Sequence, residues 1–176
     1  MTIASPARFT VDEYEHMVLP ETRRFELLDG VIVEMPPKSD ADVHAVEILT
    51  ERFVVHAERC GYRVLVQDPL MMARSMPEPD VVLATRASRG HRLTPQETLL
   101  VVEVSDTTLD KDTEKVKIFV RAGIGEAWLI DINARTIERH VPNEKPVTFT
   151  VADRTIAPRA FPDVTIVIAE LFLPDQ

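Results

Sequence analysis

The sequence predicts an α/β protein organised on one mixed β-sheet, and three observations carry that reading. Leu99-Leu-Val-Val102 is an unbroken apolar run, as in a strand covered on both faces. Leu109 to Ala122 has helical periodicity and Glu126 to Ile132 is strand-like again, so strand, helix and strand follow in order. Hairpin signals flank this unit early and late, which makes the sheet mixed rather than purely parallel.

Each element has a local reason. Thr10 to Glu13 fits a capping box opening a short amphipathic helix, with Tyr14, Met17 and Val18 on one side and Pro20 ending it. Phe25 to Leu28 and Val31 to Met35 flank Asp29-Gly30, a strong hairpin signal, and Pro36-Pro37 stops the second strand. From about Asp42 to Arg59, Val43, Val46, Ile48, Leu49, Phe53, Val54 and Ala57 recur at helical spacing, with Gly61 as C-cap.

Tyr62 to Val66 and Leu70 to Ala73 then read as strands, and Met76-Pro-Glu-Pro79 as a stiff turn into a strand beginning at Asp80. Arg86 to Gln96 reads as a polar loop. After the central unit, with Gly123 ending its helix, the chain turns at Asn133-Ala134 into Thr136 to Val141. Pro146 to Val151 and Val164 to Ile168 supply late strands.

The 176 residues suit a single domain, 1–176, with a core of ordinary size. No apolar run is long enough to span a bilayer, and the first eight residues lack the basic and apolar regions of a secretory signal. One cysteine, Cys60, excludes an intramolecular disulfide and a cysteine-rich zinc site. A cytoplasmic location is expected. The net charge of -9 argues against binding nucleic acid by bulk electrostatics; Arg86, Arg89, His91 and Arg92 are candidates for a local phosphate-handling patch, and each taken singly reads as a residue of a solvated loop.

Two acids stand where a core has no use for them. Glu103 lies within the most apolar strand, and Asp80 opens its apolar neighbour in sequence. An unpaired buried charge costs several kcal/mol at least, so such a pair calls for a cation. A solvated edge strand would explain Glu103 alone, and a turn residue Asp80 alone.

With about 100° per residue, Lys115 falls on the apolar face of its helix while Lys117, about 200° away, points outward. An ion pair with Asp112 is a competing use for Lys115. Two carboxylates and a lysine are the equipment of a metal-dependent phosphodiesterase, since hard divalent cations take oxygen ligands and activate water.

Pro79-Asp80 followed by Glu103-Val-Ser105 resembles the PD-(D/E)xK nuclease signature, with Ser105 where the motif's lysine usually stands. Within that superfamily the chain resembles the bacterial Uma-two (Uma2) restriction-endonuclease-like proteins. The likeness covers nearly the whole chain: Phe25 to Gly30, Val33 to Met35, His44, Pro79-Asp80, Val102 to Asp106, Lys115 and Ala122 to Asp131. It implies a restriction-endonuclease-like sheet flanked by helices, with N-terminal and C-terminal hairpins.

The resemblance also implies hydrolysis of phosphodiester bonds, of DNA, with Mg²⁺ as cofactor and Mn²⁺ able to replace it. Asp80 and Glu103 would bind the metal. Lys115, supplied from the following helix, would orient water or stabilise phosphorane-like charge. Glu26 would be a further metal-binding acid, and His44 a second-tier or substrate-binding residue. Phe119 stands where a tyrosine is common, and Glu78 where a glutamine is. A homodimer is implied by analogy with enzymes that cut both strands. The rival expectation is a catalytically idle nuclease-like fold acting as an interaction or regulatory module; the net charge of -9 and the lack of a separate DNA-recognition domain favour it, while acid, acid and lysine together favour the enzyme.

Overall fold

The computed structural model describes residues 8–174. The first seven residues, which carry most of the reading of the chain's start, lie outside them. A six-stranded mixed sheet forms the centre: β3 (Tyr62–Val66), β4 (Val81–Thr85), β5 (Thr98–Ser105), β6 (Ala127–Asp131), β7 (Thr136–His140) and β8 (Val147–Thr150) pair in that order. β5 and β6 are parallel and every other neighbouring pair is antiparallel. The parallel pair requires a crossover, and helix α3 (Leu109–Arg121) provides it.

Strand alternation sends the two faces of β5 to different helices. Val102 and Val104 pack with Phe53 and Trp128 beneath α2 (Asp40–Cys60), whereas Val101 packs with Val116 and Phe119 of α3. Glu103 shares the parity of Val101 and therefore faces α3. The strand is covered on both sides, as its apolar run requires.

Local chemistry sets the helix limits. Ser39 caps α2 through a capping box with Asp42, so the helix starts at Asp40, two residues before the expected Asp42. Gly61 ends it in the left-handed region at φ 74°, a conformation without penalty for glycine. In the separate hairpin of β1 (Arg24–Leu28) and β2 (Val31–Met35), Asp29 and Gly30 both take positive φ, as its two-residue turn demands.

Several expectations are corrected. The first helix, α1 (Val11–Glu15), has its Thr10–Glu13 capping box but stops well before Pro20. Val18 is fully exposed, and Tyr14 instead donates its hydroxyl proton to the Phe25 carbonyl. Leu70 to Ala73 is not a strand; Leu70 makes one isolated bridge to Leu93, since Pro69 lacks the N–H a ladder needs. The polar stretch after β4 contains two short 3-10 turns, Arg86–Ser88 and Pro95–Glu97. The late strand shrinks to β10 (Ile166–Val167), whose partner is β9 (Thr155–Ile156), a segment too short for a periodic signal.

Candidate active site

β4 and β5 run antiparallel, with Val81 opposite Val102. One step further along that register sets Asp80, the residue before β4, opposite Glu103. Asp80 Oδ2 accepts a hydrogen bond from the backbone N–H of Val104 at 2.8 Å, which ties its carboxylate to the neighbouring strand. Both acids are buried, Asp80 at 1% exposure and Glu103 at 2%.

Lys115 arrives from α3 onto the Glu103 face. Its Nζ lies 2.9 Å from Glu103 Oε1 and 3.0 Å from Glu26 Oε2. The helical-wheel expectation is met: Lys115 is buried, while Lys117 pairs with Glu114 at the surface. Asp112 does not take Lys115; it accepts the Thr108 hydroxyl. Glu26 comes from the separate β1–β2 hairpin and also pairs with Lys111 at 3.0 Å.

Two lysines at the site escaped the sequence reading. Lys111 lies four residues before Lys115, on the same helix face, so the periodicity that selected one contained the other. Lys38 lies between Pro37 and the α2 cap. Its Nζ is 2.7 Å from Asp80 Oδ1, a contact for which the sequence holds no periodic signal.

Electrostatics follow from burial and these pairs. Burial pushes the Glu103 carboxyl well above its usual range; Lys115 opposes this and Asp80 adds to it. Burial works against charge on Lys115 too, yet Glu103 and Glu26 outweigh it, so its pKa is raised and it stays an ammonium. For Glu26, burial is overcome by Lys115 and then Lys111, and its pKa falls. Burial of Lys38 is likewise overcome, by Asp80, and its pKa rises.

Glu26, Lys38, Glu103 and Lys115 border a cleft with free space of about 20 Å³, which Met35 to Pro37, Thr107, Thr108, Lys111 and Asp112 help to line; Asp80 does not line it and is reached through its Lys38 partner. That is room for a water or a small ion. His44 is not among the lining residues; its Nε2 is 3.0 Å from the Glu170 carbonyl. The Arg86 cluster does not line the cleft either. Arg86 donates to the Glu58 carbonyl, His91 pairs with Glu97 and Arg92 with Glu15. Glu78 is matched by Arg24, which offsets its added charge, and Phe119 is buried in the core.

The donor set fits a hard divalent cation: Asp80 and Glu103 offer carboxylate oxygens, and the acids Glu26, Asp42, Asp80, Glu103 and Asp112 outnumber the nearby lysines. Asp80 Oδ1 and Glu103 Oε1 are buried without a hydrogen bond of good geometry, each meeting only a lysine ammonium at ion-pair distance. As the side chains stand, no group of three His, Cys, Asp or Glu among the described residues converges to hold a metal. Lys38 takes Asp80 Oδ1, and Lys115 takes Glu103 Oε1 and Glu26 Oε2.

No curated protein matches the chain. Among solved structures, a putative nuclease of the DUF820 family from Anabaena variabilis superposes with a TM-score of 0.79 at 15% identity, over 93% of this chain and 97% of that one. At that identity the likeness speaks to the fold. The family model is more specific: its pattern runs over residues 11–169, from α1 through every site element. The chain therefore belongs to the Uma2 family, described as putative restriction endonuclease.

Proposed function

We propose that the protein is a metal-dependent endonuclease that hydrolyses phosphodiester bonds of DNA at the cleft bordered by Glu103 and Lys115, with Asp80 at the head of the strand beside Glu103. One observation carries the reading: a lysine only 2% exposed lies 2.9 Å from a strand carboxylate that is itself 2% exposed, with Asp80 across the strand pair. A core gains little from such a pair, whose desolvation offsets its attraction. Phosphodiester hydrolysis needs it.

Asp80 and Glu103 would hold one divalent cation, Mg²⁺ or Mn²⁺, with Glu26 as a further acid beside them. When bound, that cation supplies Lewis-acid polarisation of a phosphoryl oxygen and a water of lowered pKa. Lys115 keeps its proton under the pull of Glu103 and Glu26, so it acts as a fixed positive donor and not as a base. Its ammonium orients the attacking water and faces charge developing on the phosphoryl oxygens. Glu26 positions Lys115, and Lys111 meets the incoming backbone at the mouth. His44 meets the Glu170 carbonyl and so holds α2 to the C-terminal turn. Cutting both strands calls for two chains acting as a homodimer.

The test is cleavage of mixed DNA and RNA substrates in Mn²⁺, with Glu103→Ala as the blank. DNA is cut by the parent and not by the variant. Cutting by both proteins removes the site assignment, and preference for RNA removes the substrate assignment. No cutting by the parent leaves the fold as an interaction module.

A further inference from the structure

Lys38 stands where a divalent cation would bind Asp80, and we propose that it is a tethered stand-in for that cation. It pairs with Asp80 in the metal-free protein and is displaced, by rotation of its own side chain, as the cation enters. The inference rests on the metal-dependent reading above.

The contact is specific. Lys38 Nζ lies 2.7 Å from Asp80 Oδ1 and 2.8 Å from Oδ2. Oδ2 also accepts from the Val104 backbone N–H, so the carboxylate cannot turn away without losing a strand contact. Oδ1 is the oxygen left for a cation, and Lys38 now meets it. An ammonium and a divalent cation compete for the same lone pairs and repel strongly where water is scarce.

Of the two lysines paired with the acids, Lys38 is the one built to yield. Lys115 is clamped by carboxylates from two different elements and its side chain is 2% exposed. The Lys38 side chain is 24% exposed, at the rim of the cleft. Its backbone is held on both sides, by Pro36-Pro37 before it and by Ser39, which caps α2 after it. The flexible four-carbon stem is the part free to move. Once released, the ammonium remains at the rim near Lys111, on the path of an arriving phosphate.

The tests are Mn²⁺ binding by electron paramagnetic resonance and lysine footprinting, both on the full chain. Lys38→Met keeps most of the stem and removes the charge, so Mn²⁺ should bind on the order of tenfold more tightly, the scale of coupling between two ligands. In the parent, acetylation of Lys38, read by peptide mass spectrometry, should quicken when Mn²⁺ saturates the site, while Lys115 stays protected. This footprint decides the matter if Lys38→Met fails to fold. Unchanged or weaker Mn²⁺ binding in a folded Lys38→Met, or Lys38 labelling indifferent to bound Mn²⁺, overturns the displacement and leaves the metal reading standing. Mn²⁺ binding in neither protein overturns both.

Discussion

The Asp80 carboxylate accepts the Val104 backbone N–H at 2.8 Å, and this single bond sets one acid beside the strand that carries the other. Asp80 is outside β4 proper, yet its position depends on β5 as firmly as Glu103 does. Asp80→Asn keeps an oxygen able to accept that bond, and Glu103→Gln keeps the side-chain volume. Each variant is expected to fold and to lose cleavage by on the order of 100-fold or more, the scale of removing a positioned electrostatic group. Single-turnover cleavage in Mn²⁺, with circular dichroism as the fold check, measures this. Retained metal-dependent cutting in both variants rejects the acids.

The Glu103 carboxyl also predicts a pH effect on the metal-free protein. Its folded pKa is raised above the ordinary 4.5, chiefly by burial. A raised acid contributes most to stability below its unfolded pKa, and that contribution is lost as pH rises through the folded value. Glu103→Gln should therefore melt higher than the parent near pH 7.5, with the gap narrowing as pH falls toward 4.5. Melting curves in chelator across this range show it. A gap that widens on acidification gives the wrong sign for a raised Glu103.

Lys115 and Lys117 occupy one short helix and differ in direction. Lys115→Ala strands buried Glu103 and leaves Glu26 with Lys111 alone, so it should cost about 3 kcal/mol or more in stability and on the order of 100-fold or more in rate. Lys117→Ala removes an exposed pair with Glu114 and should shift stability by within roughly 0.5 kcal/mol and rate by less than about threefold. Denaturant melts and single-turnover rates on both variants decide it. A dead Lys117→Ala beside an active Lys115→Ala would reverse the assignment.

Val102 tests the strand beneath the site. It is fully buried with Phe53 and Trp128, on the face opposite Glu103. Val102→Asp puts an unpaired charge there and should cost more than about 4 kcal/mol, enough to unfold a marginal domain. The same change at Thr85, the partly exposed last residue of β4, should stay within about 1 kcal/mol. Equal melting of Val102→Asp and the parent is the outcome that removes the central strand.

What the sequence determined alone were features written in short-range pattern. The apolar run of β5, the wheel that turned Lys115 inward, the Asp29-Gly30 hairpin and the Gly61 cap each depend on residues a few positions apart. Side-chain direction in a strand or helix repeats with a fixed period, so pattern suffices there. The Leu70–Ala73 run failed because a few apolar residues do not make a strand without a partner along their whole length. The tertiary structure decided the partners. Lys38 meets Asp80 across 42 positions, and Glu26 reaches Lys115 from a hairpin outside the main sheet. Such pairs depend on how the chain closes in space, and the low dielectric of a buried cleft gives them strength that residue type alone does not reveal.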